Sequence, residues 1–177
     1  MKNIKNSGIT LILLVTTIII SLIIISTVVV AYEGILNNTK KSEFAKEMYT
    51  VKKLVMDYGF MNSSYPIKEE VTIDLGTLPE ESKIQFSSEP GYDTNSITLN
   101  VIDLYKAGVE NVIRGTTKYG ANDIYAFSTS TRKIYYVSGE LIGNTTYYTL
   151  TDELYEKISI NDVKWGSEII WKKVFLY

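Results

Sequence analysis

Histidine and cysteine are both missing from this chain of 177 residues. Their absence removes imidazole triads, thiol catalysis, disulfides and the usual zinc sites. Cysteine usage does not fix a compartment, because an exported chain without disulfides and a cytosolic one look alike in this respect. Arginine occurs only as Arg114 and Arg132, and the part beyond residue 31 carries 16 basic against 20 acidic residues. A weakly acidic surface of that kind gives no support to a nucleic-acid groove, which needs several cations to neutralise phosphates. Neither a phosphate-cradling glycine loop nor a Gly-x-Ser-x-Gly elbow is present. Acidic pairs occur at Glu69-Glu70, Glu80-Glu81 and Asp152-Glu153, but adjacent side chains point apart on a strand or a helix. No catalytic residue, metal ligand or cofactor is assigned, and the expectation is a protein that is not an enzyme.

What is present begins with an apolar run. Between Ile9 and Ala31 stand sixteen Ile, Leu or Val, one Ala and six Ser or Thr, with no charge, Gly or Pro. As a helix these positions span about 35 Å, against a hydrocarbon core of roughly 30 Å. Sixteen such residues at about −0.45 kcal/mol each favour insertion by roughly 7 kcal/mol. A helix is the form in which one segment satisfies its own backbone in lipid, so the run is expected to be a single transmembrane helix.

Beyond it, Phe44, Met48, Val51, Val55 and Tyr58 recur at helical spacing, with charged residues on the other faces. An amphipathic helix over 32–58 is expected to seat this stripe on a domain, with Gly34 and Asn37-Asn38 marking the expected kink. Residues 59 to 66, with Asn62-Ser63-Ser64 and Pro66, form the expected break, and 59–177 the expected β-rich domain. Strands are expected at Val71–Leu75, Lys83–Phe86, Ile97–Val101 and Tyr147–Leu150, with a hairpin of 124–127 and 133–137 about Ser128–Arg132. A helical turn should end at Gly108, another should be capped by Thr151, and a last strand should run over 168–177 with Ile169, Trp171, Phe175 and Tyr177 on one face. The resulting class is α+β: a long N-terminal helix with a small antiparallel sheet packed on it.

Seven of the fourteen tyrosines fall between Tyr119 and Tyr155. A sugar-stacking or adhesive face is one reading, and sheet packing with hydroxyls at the rim is the one strand propensity favours. Gly91-Tyr92-Asp93-Thr94-Asn95 offers oxygens to Ca²⁺, but a plain Asx turn uses the same residues. Trp165 and Trp171 are either a partner's anchor or part of the domain's own core.

The left border of the apolar run adds a resemblance. Met1 to Gly8 is a short polar leader with Lys2 and Lys5, and Gly8 abuts Ile9-Thr10-Leu11-Ile12. This resembles the prepilin leader of type IV pilins and type II secretion pseudopilins, in the variant with Ile after the Gly that is found in relatives from Gram-positive bacteria. The likeness extends from Lys2 to about Tyr58 and is specific over the first dozen residues. It implies a leader of 1–8, cleavage by a prepilin peptidase between Gly8 and Ile9, methylation of Ile9, and an assembly helix over 9–31. It also implies a pilin-like fold, a cytoplasmic N-terminus, an extracytoplasmic domain, and membrane lipid, other pilin-like subunits and the pilus assembly machinery as partners. The family usually carries Glu at the fifth mature position, where this chain has Leu13. That departure suits a minor subunit at a filament tip, although aliphatic residues also occur here in Gram-positive relatives. Two other readings stay open: an exported domain behind a signal peptide cut after Ala31, and an uncleaved signal-anchored binding protein or adhesin. The apolar run is longer than the roughly 7 to 15 residues of a signal-peptide core.

Overall fold

The structure is a computed structural model that describes residues 4–110, 112–118 and 120–158, with backbone alone at 4–10, 12 and 28–30. The expected strand over 168–177, with Trp165 and Trp171, therefore lies outside the described residues. The chain divides into two units, Met1–Thr39 and Lys40–Tyr177. Helix α1, Ile4–Asn62, is helical across that boundary, through Gly34 and Asn37-Asn38.

In the first unit, among the described side chains, Leu11, Leu13, Leu14, Ile18 to Ile20 and Leu22 to Ile25 are each at least half exposed. In the second unit the helix is amphipathic. Phe44, Ala45, Met48, Val51 and Val55 are completely buried, and at about 2 kcal/mol per large side chain the stripe contributes on the order of 8 kcal/mol of gross burial. The helix continues four residues past Tyr58, through Gly59. This glycine serves close approach instead of a break, since a Cβ there would lie 2.6 Å from the Tyr65 ring. The end comes where Asn62 donates its side-chain amide to the Tyr58 carbonyl and Ser63 turns to φ 53°.

Five strands follow: β1 Ile67–Asp74, β2 Ser96–Ile102, β3 Tyr125–Phe127, β4 Ile134–Ile142 and β5 Thr145–Thr149. They form one antiparallel sheet in the order β1-β2-β3-β4-β5, so the α+β class expected from the sequence is the one observed. Alternation then sorts the side chains between two cores. Tyr125, Phe127, Ile134, Tyr136 and Tyr147 join the α1 stripe, whereas Ala126, Tyr135, Val137 and Tyr148 face the opposite side.

That opposite side is covered by a segment expected to be a strand. Residues 80 to 86 are helical instead: α2, Glu80–Lys83, runs into a 3-10 turn over Ile84–Phe86. Pro79 before the first turn and two acids within it favour a helix start, and the burial of Ser82 and Phe86 with Ile84 exposed is a four-residue repeat. Phe86 stacks on Tyr135, with ring centroids 4.9 Å apart.

The turn ending at Gly108 closes as a Schellman motif. Val109 N–H donates to the Leu104 carbonyl and Gly108 N–H to that of Tyr105, with Gly108 at φ 70°. Helix α3, Asp152–Tyr155, is capped by Thr151, whose hydroxyl accepts from Leu154 N–H.

Candidate functional site

The residues that the leader resemblance selects lie at the start of α1. Lys2 is outside the described residues. Lys5, Gly8 and Ile9 are helical in backbone, and Leu13 is 62% exposed. Five hydroxyls in the run, on Thr16, Thr17, Ser21, Ser26 and Thr27, each donate to a carbonyl three or four residues earlier at 2.8 or 2.9 Å. Each polar group is thereby satisfied within its own helix, which lowers its cost in an apolar surrounding. By length and composition this is one helix able to cross a membrane, of the kind found in anchors and signal sequences alike. No acidic residue precedes Glu33, so the segment carries no carboxylate near Ile9.

The globular unit gathers a second set of groups. Glu47 faces a loop 66 residues further along the chain: its carboxylate accepts from Ile113 N–H at 3.0 Å, Arg114 N–H at 2.9 Å, Arg114 Nη1 at 2.6 Å and the Tyr125 hydroxyl at 3.1 Å. Arg114 also donates through Nε to Glu140 at 2.9 Å. The β4–β5 ladder jumps from Tyr135 opposite Thr149 to Glu140 opposite Tyr147, with Gly139 at φ 68° inside the irregularity. Burial works against the Arg114 charge, and Glu140 and Glu47 more than offset it, leaving its pKa above the ordinary value.

Three further carboxylates accept from tyrosines of the sheet. Glu89, 5% exposed, accepts from Tyr135 at 2.6 Å, from Ser128 at 2.5 Å and from the Thr131 hydroxyl. These bonds hold the Ser128–Arg132 connection, where Arg132 takes φ 57° with no glycine or asparagine to ease it. Asp123, fully buried, accepts from Tyr136 at 3.0 Å and Gly115 N–H at 2.6 Å, and exposed Glu153 accepts from Tyr147 at 2.7 Å and Lys41 at 2.5 Å. Burial, reinforced by Glu47 at Tyr125, Glu89 at Tyr135 and Asp123 at Tyr136, raises the hydroxyls of Tyr125 and Tyr135 well above the usual tyrosine value and that of Tyr136 to about 12. Between Tyr125 and Tyr148 the tyrosines are thus interior packing, whereas Tyr155 is 38% exposed and Tyr119 lies outside the described residues.

Sequence reasoning placed Glu47 among the charged residues on the other faces of the helix, noted Arg114 only for the scarcity of arginine, and did not single out Glu89, Asp123 or Glu140. The usable signal was the scarcity of arginine, because an isolated Arg in a weakly acidic domain is a natural partner for an otherwise unpaired carboxylate. As for the other sequence candidates, Glu69, Glu70, Glu80, Glu81 and Asp152 are exposed, and Asp93 sits in an exposed turn where the Thr94 hydroxyl donates to it at 3.3 Å. Among the described residues no group of three or more acids is gathered as a metal site.

Comparison with protein-family models, with curated proteins and with solved structures finds no match. The class defined by the structure is therefore an α+β domain whose chain also bears one apolar, membrane-length helix.

Proposed function

We propose that this chain is a pilin-like structural subunit. It enters the membrane through Ile9–Ala31 with its N-terminus cytoplasmic, is cut after Gly8 by a prepilin peptidase, is methylated on Ile9, and assembles through its N-terminal helix with other pilin-like subunits into a pilus or pseudopilus. The observation that carries this reading is the order Lys2, Lys5, Gly8, then an uncharged helix whose described side chains are exposed and whose described hydroxyls are satisfied internally. Such a helix suits lipid before assembly and like helices afterwards. Gly8 fits the cleavage step, since a peptidase needs its bond extended and Gly weakens a helix by about 1 kcal/mol.

Co-expression with a prepilin peptidase tests it by intact mass. The expected product starts at Ile9 and carries one methyl group, and Gly8→Leu leaves the chain uncut. A product starting at Tyr32 would instead make the apolar run a signal peptide, and one retaining Met1 a signal anchor for an extracellular binding domain.

The subunit is, in the same reading, a minor one. Cleavage leaves an α-amino group with an ordinary pKa of about 7.7 to 8.0, and burying that cation in a helix bundle is costly without a counter-charge. Leu13 supplies none, and this loss is least costly at a tip, where no subunit above needs its amine paired. Quantitative mass spectrometry of sheared filaments should find a few copies per fibre; long homopolymers of this chain alone would refute the minor role.

A further inference from the structure

The two edges of the sheet are treated differently. The edge of β5 is closed by one side chain: Gln85 donates through Nε2 to the Thr146 carbonyl at 2.8 Å, and its Oε1 accepts from Tyr148 N–H at 2.8 Å. An amide there does what another strand's peptide group would do. The edge of β1 has no such cover among the described residues, where β2 is its one neighbouring strand. Leu75 N–H donates to the Asn95 carbonyl at 2.8 Å, and Ile73 and Val71 lie opposite Ile97 and Leu99 in the same register. Since backbone groups alternate along a strand, Val71 and Ile73 turn theirs toward β2 and Glu70, Thr72 and Asp74 turn theirs outward. Along 70–74, where the ladder is regular, this edge carries two acids, Glu70 and Asp74, and no cation. Its apolar face is unfinished as well: Val71 is half-buried where Ile73, in the same core, is buried.

We propose that residues 168–177 of the same chain dock on this edge as a sixth strand, antiparallel to β1. The inference is independent of the pilin reading. Connectivity, alternation and charge select this occupant. Every neighbouring pair in the sheet is antiparallel, so β5 runs the same way as β1 and the chain leaves it at the end where β1 finishes. Four strand spacings, about 19 Å, separate the two edges, and residues 159–167 reach up to about 30 Å when extended. A strand entering beside Asp74 and running toward Ile67 therefore closes the sheet with a short return. In that segment Ile169, Trp171, Phe175 and Tyr177 alternate along one face, and Lys172 and Lys173 supply the cations the edge lacks. Cross-strand partners share a face, so setting Trp171 beside Ile73 extends the unfinished core and puts Lys172 on the face of Glu70 and Asp74. Opposite Thr72, Lys172 has one of these acids diagonal to it on each side, within reach of its long stem. A shift of two residues one way sets Glu168 against Asp74, and a shift the other way sets Lys173 over the buried Ile73, both unfavourable.

The absence of cysteine makes the test clean, because Val71→Cys with Lys173→Cys introduces the chain's only two thiols. In this register the two positions form a non-hydrogen-bonded pair with Cα atoms about 4.5 Å apart, within the range a disulfide spans. The full-length double variant in detergent, oxidised and run without reductant, should be an internally linked monomer of the 20.0 kDa chain. Its yield should be much higher than that of Leu141→Cys with Lys173→Cys, a control at a 64% exposed residue of β4. Adding Lys172→Glu should lower the yield several-fold, and adding Glu70→Lys as well should restore it. Amide exchange gives a reading without cysteines: the outward N–H of Thr72 should exchange at least about tenfold faster in Lys172→Pro than in the wild-type chain. Equal yields for the two cysteine pairs, no rescue by the charge swap, or a Thr72 amide indifferent to Lys172→Pro would overturn the docking. So would a disulfide-linked dimer in place of the monomer, which would assign the edge to the C-terminal residues of another copy.

Discussion

At the scale of single residues, the ion pair of Glu47 and Arg114 explains how the connection between β2 and β3 is held against the helix. Both side chains are only 11% exposed, and the Glu47 carboxylate is met by four donors. Removing one partner of such a pair strands the other charge away from water, so Arg114→Met is expected to cost about 3 to 5 kcal/mol. Glu47→Leu with Arg114→Met removes both charges and should recover part of that loss. Urea denaturation of the unit from Lys40 onward checks both, and a single variant within 1 kcal/mol of wild type would mean that water reaches the pair. The scarcity of arginine marked Arg114 in sequence, but its partner was not visible there, because Glu47 and Arg114 stand 67 positions apart and no local pattern links them.

At the scale of elements, the apolar stripe of α1 was legible and its far end was not. Four of its five expected members, Phe44, Met48, Val51 and Val55, are fully buried, because four- and three-residue steps admit no other regular structure over that length. Gly59 misled because glycine marks a breaker and a close approach equally well. Lys83–Phe86 misled for a different reason: over four residues, helical and strand periods cannot be told apart, and the Pro79-Glu80-Glu81 start signal was the better guide. Gly143, at φ 62° between β4 and β5, is a turn signal that the sequence offered and that went unread. Met48→Asp with Val55→Asp places two unpartnered charges beneath the sheet, at a cost of several kcal/mol. The unit from Lys40 should then lose its cooperative melt, and an unaltered melting curve would show that the stripe is not what holds the sheet.

For the whole molecule, the tyrosines set the response to alkali. Tyr125, Tyr135 and Tyr136 have folded pKa values above an unfolded value of about 10, so the folded state holds their protons more tightly. Their contribution to stability is therefore complete below about pH 10 and is lost as pH climbs toward the folded values. Absorbance titration of phenolate should show Tyr125, Tyr135 and Tyr136 ionising only together with unfolding. A single transition accounting for all fourteen before any loss of structure would contradict the burial seen in the sheet. The α+β class was readable from periodicity alone, whereas the carboxylates beneath the tyrosines depend on contacts that only the folded chain creates. The same tyrosine-dense sheet has an optical consequence. The chain has two tryptophans, Trp165 and Trp171, both following β5 in sequence, so the interior tyrosine rings are energy donors for which these two indoles are the acceptors. Excitation of tyrosine with detection of tryptophan emission then reports, without any attached dye, how near those indoles come to the sheet.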